Sequence, residues 1–238
     1  MHAVILVAGI ASRLRPLTDT VPKCLLKVKG KPILGMMVEN LLSSGIEDFV
    51  FVTGYLEHKI INFIQANYPG MKVTFISNEN YSSTNNIYSL WLSKDAVYSK
   101  DFLLLDGDII FDRKIIDLLL SVKNYSSLAL RTTGHVGEED MKVMIDENGF
   151  VKEINKTMDP ARATGESIGI ELFLRDSSTS LFNELETMIK RENKVNVWYE
   201  EAFQRIINRG TKIKAVDVNN LKCMELDTFE DFRIAENL

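Results

Sequence analysis

Short apolar segments alternate with amphipathic helical patterns through the first half of this 238-residue chain. Strand-like runs occupy residues 3–7, 49–53, 72–77 and 102–105. Helical patterns occupy residues 33–44, 56–67, 87–93 and 114–121. Such alternation is typical of strands that pair in parallel through crossover helices. It predicts an α/β fold, Rossmann-like, with a mixed, mostly parallel sheet and helices on both faces.

The pattern changes near residue 127, where short strand candidates follow one another closely. They span 128–132, 142–146, 151–155 and 168–173, and 212–218 later in the chain. Helical patterns cover 178–191 and 198–208, and a last helix is expected to begin near Thr228. Because no low-complexity linker or internal repeat interrupts the chain, we expect a single domain over 1–238, with halves at 1–125 and 126–238.

Charge and composition exclude several broad classes of protein. The formal net charge is −5, from 28 basic and 33 acidic residues, which argues against a general nucleic-acid binder. No apolar run approaches the roughly 18 residues of a membrane span, and Met1–His2 gives no basic start to a signal peptide. Two cysteines are too few for a disulfide framework, so we expect a cytoplasmic protein without membrane insertion.

The first strand runs directly into a loop rich in cations and prolines. Gly9 ends the apolar run, and Arg13, Arg15 and Lys23 follow, with prolines at positions 16 and 22. Charged loop residues are usually only solvated. Here, however, backbone N–H groups and cations converge after a strand, and the prolines restrict the loop at low entropic cost. The segment therefore predicts a polyphosphate site.

The loop has the pattern G-x-x-x-R-x-x-P-L-T-x-x-x-P-K. It resembles the signature of nucleotidyltransferases that make nucleoside-diphosphate sugars and CDP-alcohols, L-A-A-G-x-G-x-R-x-x-P-L-T-x-x-x-P-K. The resemblance implies that the loop wraps a nucleoside triphosphate, and that Arg13 and Lys23 act on it in catalysis. The nucleotide-binding candidates it gives are Ala8, Gly9, Ala11, Ser12, Arg13 and Lys23. Ala11 stands where the family usually has glycine, and its methyl group restricts how closely the backbone approaches a phosphate.

Asp106-Gly107-Asp108 follows the buried strand at 102–105. Asp-Gly is a common turn dipeptide, which is the ordinary explanation. Two acids at the ligand edge of a sheet also supply the hard oxygen ligands that Mg²⁺ prefers beside phosphates. The resemblance extends here, and the metal-binding aspartate of the superfamily aligns with Asp108. Asp106 is a nucleotide-binding candidate that either holds a ribose or orders the loop.

A second acidic segment lies near the end of the chain, around Asp227. Thr228 and Asp231 have the spacing of a helix capping box, which leaves Asp227 without a structural task. The segment is similar to an E-I-D-x-x-x-D-Y stretch of phosphocholine cytidylyltransferases. That similarity implies that Asp227 is the second metal-binding acid, sharing one Mg²⁺ with Asp108.

The segment N-N-x-Y-S-L carries the prediction of base preference. Asn85 or Asn86 is expected to cap the following helix. The two amides and Ser89, one turn later, also offer donors and acceptors to a nucleobase edge. The stretch resembles one in bacterial CTP:phosphocholine cytidylyltransferases, and this resemblance favours CTP.

Candidates for the acceptor site lie in the second half. Lys156 ends a strand where the superfamily has V-x-x-I-x-E-K, with the lysine on the acceptor phosphate; Asn155 replaces the usual glutamate. Lys142 is a second candidate, and Glu166 lies in a stretch that resembles the acceptor-pocket lining.

Trp198, Tyr199 and Glu200 place aromatic rings beside an acid. This combination suits a quaternary ammonium group such as choline. The alternative is that the two rings pack the helix onto the sheet and that the acid favours a helix start.

Together these features predict a Mg²⁺-dependent cytidylyltransferase, with a nucleotide-binding half at 1–125 and an acceptor-binding half at 126–238. It would join CTP to a small phosphomonoester or phosphonate, with phosphocholine the expected acceptor, and release pyrophosphate. The alternatives are a sugar-1-phosphate or inositol-1-phosphate nucleotidyltransferase and a non-catalytic nucleotide-binding regulatory module; a glycosyltransferase is less favoured because such enzymes lack this loop. We expect a monomer or a homodimer that binds no nucleic acid.

Overall fold

The computed structural model describes residues 1–134 and 136–237, and they form a mixed sheet with helices on both faces. The strands are β1 (His2–Val7), β2 (Lys27–Val28), β3 (Lys31–Pro32), β4 (Asp48–Thr53), β5 (Lys72–Ser77), β6 (Phe102–Asp106), β7 (Ile109–Phe111), β8 (Ser126–Arg131), β9 (Lys142–Ile145), β10 (Val151–Asn155), β11 (Gly165–Phe173), β12 (Ile213–Asp217) and β13 (Cys223–Glu225). The helices are α1 (Ile33–Ser43), α2 (Glu57–Asn67), α3 (Asn86–Leu92), α4 (Lys94–Val97), α5 (Lys114–Ser121), α6 (Arg175–Lys190), α7 (Glu200–Asn208) and α8 (Phe229–Ala235). The predicted fold class is confirmed.

The central sheet contains nine strands, of which four parallel ones come from the first half of the chain, and β12 pairs with β8 in parallel in the second half. Strand β1 lies between β4 and β6, and β5 follows β4, all four parallel. Strand β11 joins β6 in the antiparallel direction and carries β8 and the β9–β10 hairpin. The carboxyl ends of β1, β4 and β6 therefore meet at one edge, where open α/β sheets bind their ligands.

Alternate residues of β1 enter two apolar cores, one on each face of the sheet. Ala3 and Ile5 pack in the core beneath α1 and α5, whereas Val4 packs in the core beneath α6 and α7. Because a strand turns successive side chains to opposite faces, a strand covered on both sides is apolar throughout. Residues 3–7 are therefore apolar almost without interruption because both faces of β1 are buried.

A two-stranded sheet of β7 and β13 lies beside the ligand edge. It pairs Ile109 with Glu225, and the Leu226 N–H donates to the Asp108 carbonyl at 3.0 Å. Each strand has only three residues, which is too short to show a periodic pattern in the sequence. The pairing nevertheless brings the two acidic segments of the chain together.

Most differences between the predicted and observed elements are at their ends. Strand β11 begins at Gly165 rather than 168, α6 begins at Arg175 rather than 178, and α7 begins at Glu200 rather than 198. In the described part of the chain, no helix combines the length and apolar character needed to cross a bilayer.

Candidate functional site

A cleft of about 580 Å³ opens at the carboxyl edge of the parallel strands. One wall is the loop after β1, and the other includes the β11 strand and the segment before α7. Every candidate site residue predicted from the sequence lines this cleft except Tyr199 and Lys142. Residues from distant parts of the sequence thus meet at one place.

The phosphate-loop candidate folds into two short 3-10 turns, Ser12–Leu14 and Leu17–Asp19. Ala11 precedes the first turn with φ 51° and ψ 53°, in the left-handed region. Its carbonyl accepts hydrogen bonds from the Thr18 hydroxyl (3.0 Å) and the Leu14 N–H (3.1 Å), which fix this conformation. Left-handed backbone costs a non-glycine residue about 1–2 kcal/mol, which is a physical reason for glycine at this position in the family pattern.

Three carboxylates form a cluster on the floor of the cleft. Asp108, Glu225 and Asp227 each offer an oxygen, and these atoms all lie within 4.8 Å of one another. The buried Oδ1 of Asp108 has no hydrogen-bond partner among the described residues. Hard carboxylate oxygens, one of them unsatisfied, fit a divalent cation such as Mg²⁺.

Glu225 is absent from the sequence-based list of ligands. It lies two residues before Asp227 at the end of β13, so the alternation of a strand could have placed both acids on one side. Its partial removal from water, together with the charges of Asp108 and Asp227, raises the pKa of Glu225 to about 8. Cations near the cluster therefore favour the ionised form of these three carboxyl groups.

Lys23 supplies one of those cations. Its Nζ lies 2.6 Å from Oδ2 of Asp108 and also contacts Asp227, while Arg13 lies 3.3 Å from Asp227. Burial alone would lower the pKa of Lys23, but the charges of Asp108 and Asp227 outweigh burial and hold that pKa above its usual value. The predicted triphosphate cation and the predicted metal ligands are thus direct partners.

The predicted base-binding residues are partly engaged in structural hydrogen bonds. The Asn85 side chain caps α3 by accepting from the Asn86 N–H at 2.7 Å, which confirms the predicted cap. Oδ1 of Asn86 accepts from the Tyr199 N–H, and the buried Ser89 hydroxyl accepts from the Asn78 amide at 3.0 Å. Within the described residues, the amide nitrogens of Asn85 and Asn86 donate to no side chain or carbonyl. They remain as donors at the cleft.

Tyr199 corrects the sequence-based expectation of a ligand-facing ring. The residue is fully buried, its ring packs against Phe203, and its hydroxyl donates to Oδ2 of Asp106 at 2.9 Å. The Asp106 carboxyl is removed from water and lies near the negative charges of Asp108 and Glu200, so its pKa is raised well above the usual range. Tyr199 thus orders Asp106 from behind the cleft.

Two acidic side chains close to Asp106 are almost completely buried. Glu171 accepts from the Ser167 hydroxyl at 3.2 Å, and burial together with the charge of Asp106 raises its pKa. Glu200 is 5% exposed, lines the cleft and has a pKa raised to about 7, chiefly by burial. Neither Glu171 Oε2 nor Glu200 Oε2 has a hydrogen-bond partner in the described chain.

Lys156 and Trp198 adjoin one another at the cleft. The Lys156 Nζ lies 4.1 Å from the centre of the Trp198 ring, and 44% of the tryptophan is exposed. Such an ammonium–ring contact is favourable and leaves the lysine at the surface of the cleft. Both residues are therefore accessible to a ligand in the cleft.

Lys142 and Glu166 are already paired with other groups. Lys142 is fully buried and donates to backbone carbonyls of Glu138 (2.5 Å) and Lys156 (2.7 Å), so the expectation that it binds an acceptor phosphate is wrong. Glu166 accepts from Arg131 at 2.6 Å. Any contact between Glu166 and an acceptor would compete with this ion pair.

Comparison with known proteins agrees with the fold and shows the family. Residues 2–156 match the family described as nucleotidyl transferase, and the chain belongs to this family. The CTP:phosphoglutamine cytidylyltransferase of Campylobacter jejuni is 26% identical, and the match covers 98% of each chain. The choline-phosphate cytidylyltransferase of Streptococcus pneumoniae is 39% identical, but the match covers only 45% of this chain and 44% of that protein.

Among solved structures, the CTP:phosphocholine cytidylyltransferase from Streptococcus pneumoniae has the same fold. The TM-score is 0.77 at 21% sequence identity, and the match covers 99% of this chain and 97% of that chain. The likeness extends over both halves, including the less regular strands after residue 126.

Proposed function

We propose that this member of the nucleotidyl transferase family is a Mg²⁺-dependent cytidylyltransferase, with CTP and a small phosphomonoester or phosphonate as substrates. Phosphocholine is the expected acceptor, and the products are a CDP-alcohol-type compound and pyrophosphate. The observation that carries the proposal is the meeting of the Asp108–Glu225–Asp227 cluster with Lys23 beside the loop after β1.

Arg13 and Lys23 supply positive charge on the triphosphate side of the cleft. Both line it beside the backbone of residues 8–12, and Ser12 begins the first 3-10 turn. Cations and backbone N–H groups favour the β- and γ-phosphates, which leave as pyrophosphate. Their task in the reaction is to hold the triphosphate and to neutralise the charge that develops on the leaving group.

The acceptor acts through an oxygen of its phosphate or phosphonate group. This oxygen forms a bond to the α-phosphorus in line with the bond between the α-phosphorus and the bridging oxygen, which breaks and takes its electron pair to pyrophosphate. Because the attacking group is already ionised, no side chain need remove a proton. The protein then contributes positioning and electrostatic stabilisation, with Lys156 placed to orient the acceptor.

Asp108, Glu225 and Asp227 would hold Mg²⁺, and Asp108 Oδ1 is available as a ligand atom. When bound, Mg²⁺ neutralises phosphate oxygens and raises the electrophilicity of phosphorus.

The amide donors of Asn85 and Asn86 support the choice of CTP. Each amide oxygen already accepts one backbone N–H, whereas the NH₂ groups have no partner among the described residues. Cytosine presents acceptors at O2 and N3, whereas uracil has an N–H at position 3. A pair of donors therefore suits cytosine better than uracil.

Acidic residues on the acceptor side favour a zwitterion over a neutral polyol. Glu166 and Glu200 line the cleft together with Lys156. Lys156 suits the acceptor phosphate, and the carboxylates favour a positive charge at the other end of the acceptor. Phosphocholine and aminoalkylphosphonates have this distribution of charge, but inositol phosphate and sugar 1-phosphates do not.

A matrix assay of pyrophosphate release tests the proposal. CTP, UTP, ATP, GTP and dTTP are each combined with phosphocholine, 2-aminoethylphosphonate, inositol 1-phosphate and glucose 1-phosphate, with and without Mg²⁺. We expect turnover with CTP and a zwitterionic acceptor that is abolished by chelation. Turnover confined to sugar phosphates would favour the sugar-nucleotide alternative, and nucleotide binding without turnover would favour a regulatory module.

A further inference from the structure

The ammonium group of Lys23 lies between two carboxylates of the acidic cluster. It contacts Asp108 and Asp227 together, and only 11% of the lysine side chain is exposed. The Asp108 side chain is 24% exposed. Water screens the Lys23–Asp108 pair less than it screens a surface ion pair, whereas the contact with Asp227, whose side chain is 39% exposed, is screened more. In this arrangement, Lys23 and a divalent cation compete for the same two carboxylates.

We propose that Lys23 is a placeholder cation: without nucleotide it neutralises Asp108 and Asp227 and suppresses metal binding, and a triphosphate draws it away so that metal and nucleotide bind together. This inference rests on the proposed function, because it assumes a triphosphate ligand and a metal at these acids.

The backbone around Lys23 is held in place, so the exchange requires movement of the side chain alone. Pro22 has φ −63°, and the N–H groups of Leu25 and Leu26 close the short 3-10 turn onto the carbonyls of Pro22 and Lys23. Cys24 is buried in the core. The four-carbon stem of lysine is flexible and its ammonium is a compact charge, which makes it suited to a change of partner.

The exchange of Lys23 from the carboxylates to the triphosphate is driven by the stronger ion pairs that form after it. A triphosphate offers Lys23 new negative charge, and a divalent cation offers the vacated carboxylates more positive charge than one ammonium. A ligand shifts such an equilibrium only by its different affinity for the two arrangements. Because coupling is reciprocal, the nucleotide should raise metal affinity and the metal should raise nucleotide affinity by the same factor.

Mn²⁺ binding, measured by electron paramagnetic resonance, tests the proposal without turnover. The proteins are the wild type, Lys23→Met and Lys156→Met, titrated without nucleotide. Lys156→Met is the matched control, because it removes one positive charge from the same cleft but not from the carboxylates. We expect Lys23→Met to bind Mn²⁺ at least about tenfold more tightly than the wild type, and Lys156→Met to stay within about twofold of it.

Equal Mn²⁺ affinity of the wild type and Lys23→Met would overturn the placeholder but leave the proposed function standing. An equal gain in Lys156→Met would overturn it also, because general electrostatics would then explain the effect. Failure of Mn²⁺ to bind any of the three proteins, even with the non-reacting analogue α,β-methylene-CTP, would contradict the metal site and with it the proposed function.

A measurement on the wild type covers the case in which Lys23→Met fails to fold. Thermal unfolding is followed with Mn²⁺, with α,β-methylene-CTP and with both. The placeholder predicts little stabilisation by Mn²⁺ alone and a rise in Tm with both ligands that exceeds the sum of the separate rises. Additive rises in Tm would contradict it.

Discussion

The hydroxyl of Tyr199 donates a 2.9 Å hydrogen bond to Oδ2 of Asp106, linking the residue before α7 to the end of β6. Asp106 and Glu171 lie on the same face of the sheet, below Tyr199. Gly169 lies against Asp106 with φ +68°, and a Cβ at that position would come within 2.7 Å of Asp106 Oδ2. The buried tyrosine thus controls an acid at the cleft without touching a ligand.

Tyr199→Phe should therefore affect stability more than acceptor binding. Loss of the donor leaves a buried carboxylate oxygen unsatisfied, which costs about 1–3 kcal/mol. Chemical denaturation should detect this loss in the free energy of unfolding, with the KM for acceptor within about twofold of wild type. A large rise in acceptor KM at unchanged stability would restore a ligand-facing role.

Asp108→Asn should nearly abolish pyrophosphate release while the protein stays folded. The substitution removes charge from the cluster and from the Lys23 contact, and we expect a loss of at least about a hundredfold, or ~3 kcal/mol of barrier. Asp95→Asn, on the exposed surface of α4, is the control. Normal turnover of Asp108→Asn would contradict the assignment of Asp108 as a metal ligand.

Trp198→Ala should raise the KM for phosphocholine far more than the KM for CTP, because we propose that the half-exposed ring in the cleft contacts the acceptor. A lost cation–π contact of about 0.5–2 kcal/mol corresponds to roughly a 2- to 30-fold change. Trp91→Ala is matched to it, since Lys190 lies 4.6 Å above that ring away from the cleft. Similar changes in both KM values would indicate that Trp198 only packs against the protein and does not contact the acceptor.

Ala11→Gly should stabilise the protein by about 0.5–1 kcal/mol, since glycine relieves the left-handed strain but adds entropy to the unfolded chain. Ala163, at φ −69°, provides a control of opposite sign: Ala163→Gly should destabilise by about 0.4–1 kcal/mol. Thermal unfolding measures both. A destabilised Ala11→Gly would argue against the left-handed conformation.

Glu200→Gln should change how stability depends on pH. Burial raises the pKa of Glu200 to about 7 from an ordinary 4.5. The contribution of Glu200 to the free energy of unfolding is therefore fully present below pH 4.5, where the side chain is protonated in both states. It is lost as the pH rises through 7, because the unfolded chain ionises first. The amide cannot ionise, so the variant should gain on the wild type by about 2–3 kcal/mol between pH 4.5 and 8.

Unfolding free energies across this pH range test the effect of Glu200. Glu147→Gln, in an exposed hairpin, should show no such gain. A pH-independent difference between Glu200→Gln and the wild type would contradict the raised pKa.

Local patterns predicted much of the fold and most of the site. The strand at 102–105 was recognisable because both faces of β6 are covered, and the capping box of Thr228 and Asp231 is confirmed with both hydrogen bonds. Glu225 was missed because it ends a three-residue strand whose partner strand lies more than a hundred residues away. A short strand has no periodicity of its own and forms only where a partner holds it.

The sequence by itself determined the strand–loop chemistry, the alternation that builds the sheet, and the acids at its edge. These depend on residues close together in the chain, where turn geometry and the burial of alternate faces leave few choices. The tertiary structure decided which groups meet: Asp108 with Glu225 and Asp227, Lys23 between two of them, and Tyr199 behind Asp106. Those contacts depend on strand register and on burial from all sides, which are properties of the packed chain and not of any one segment.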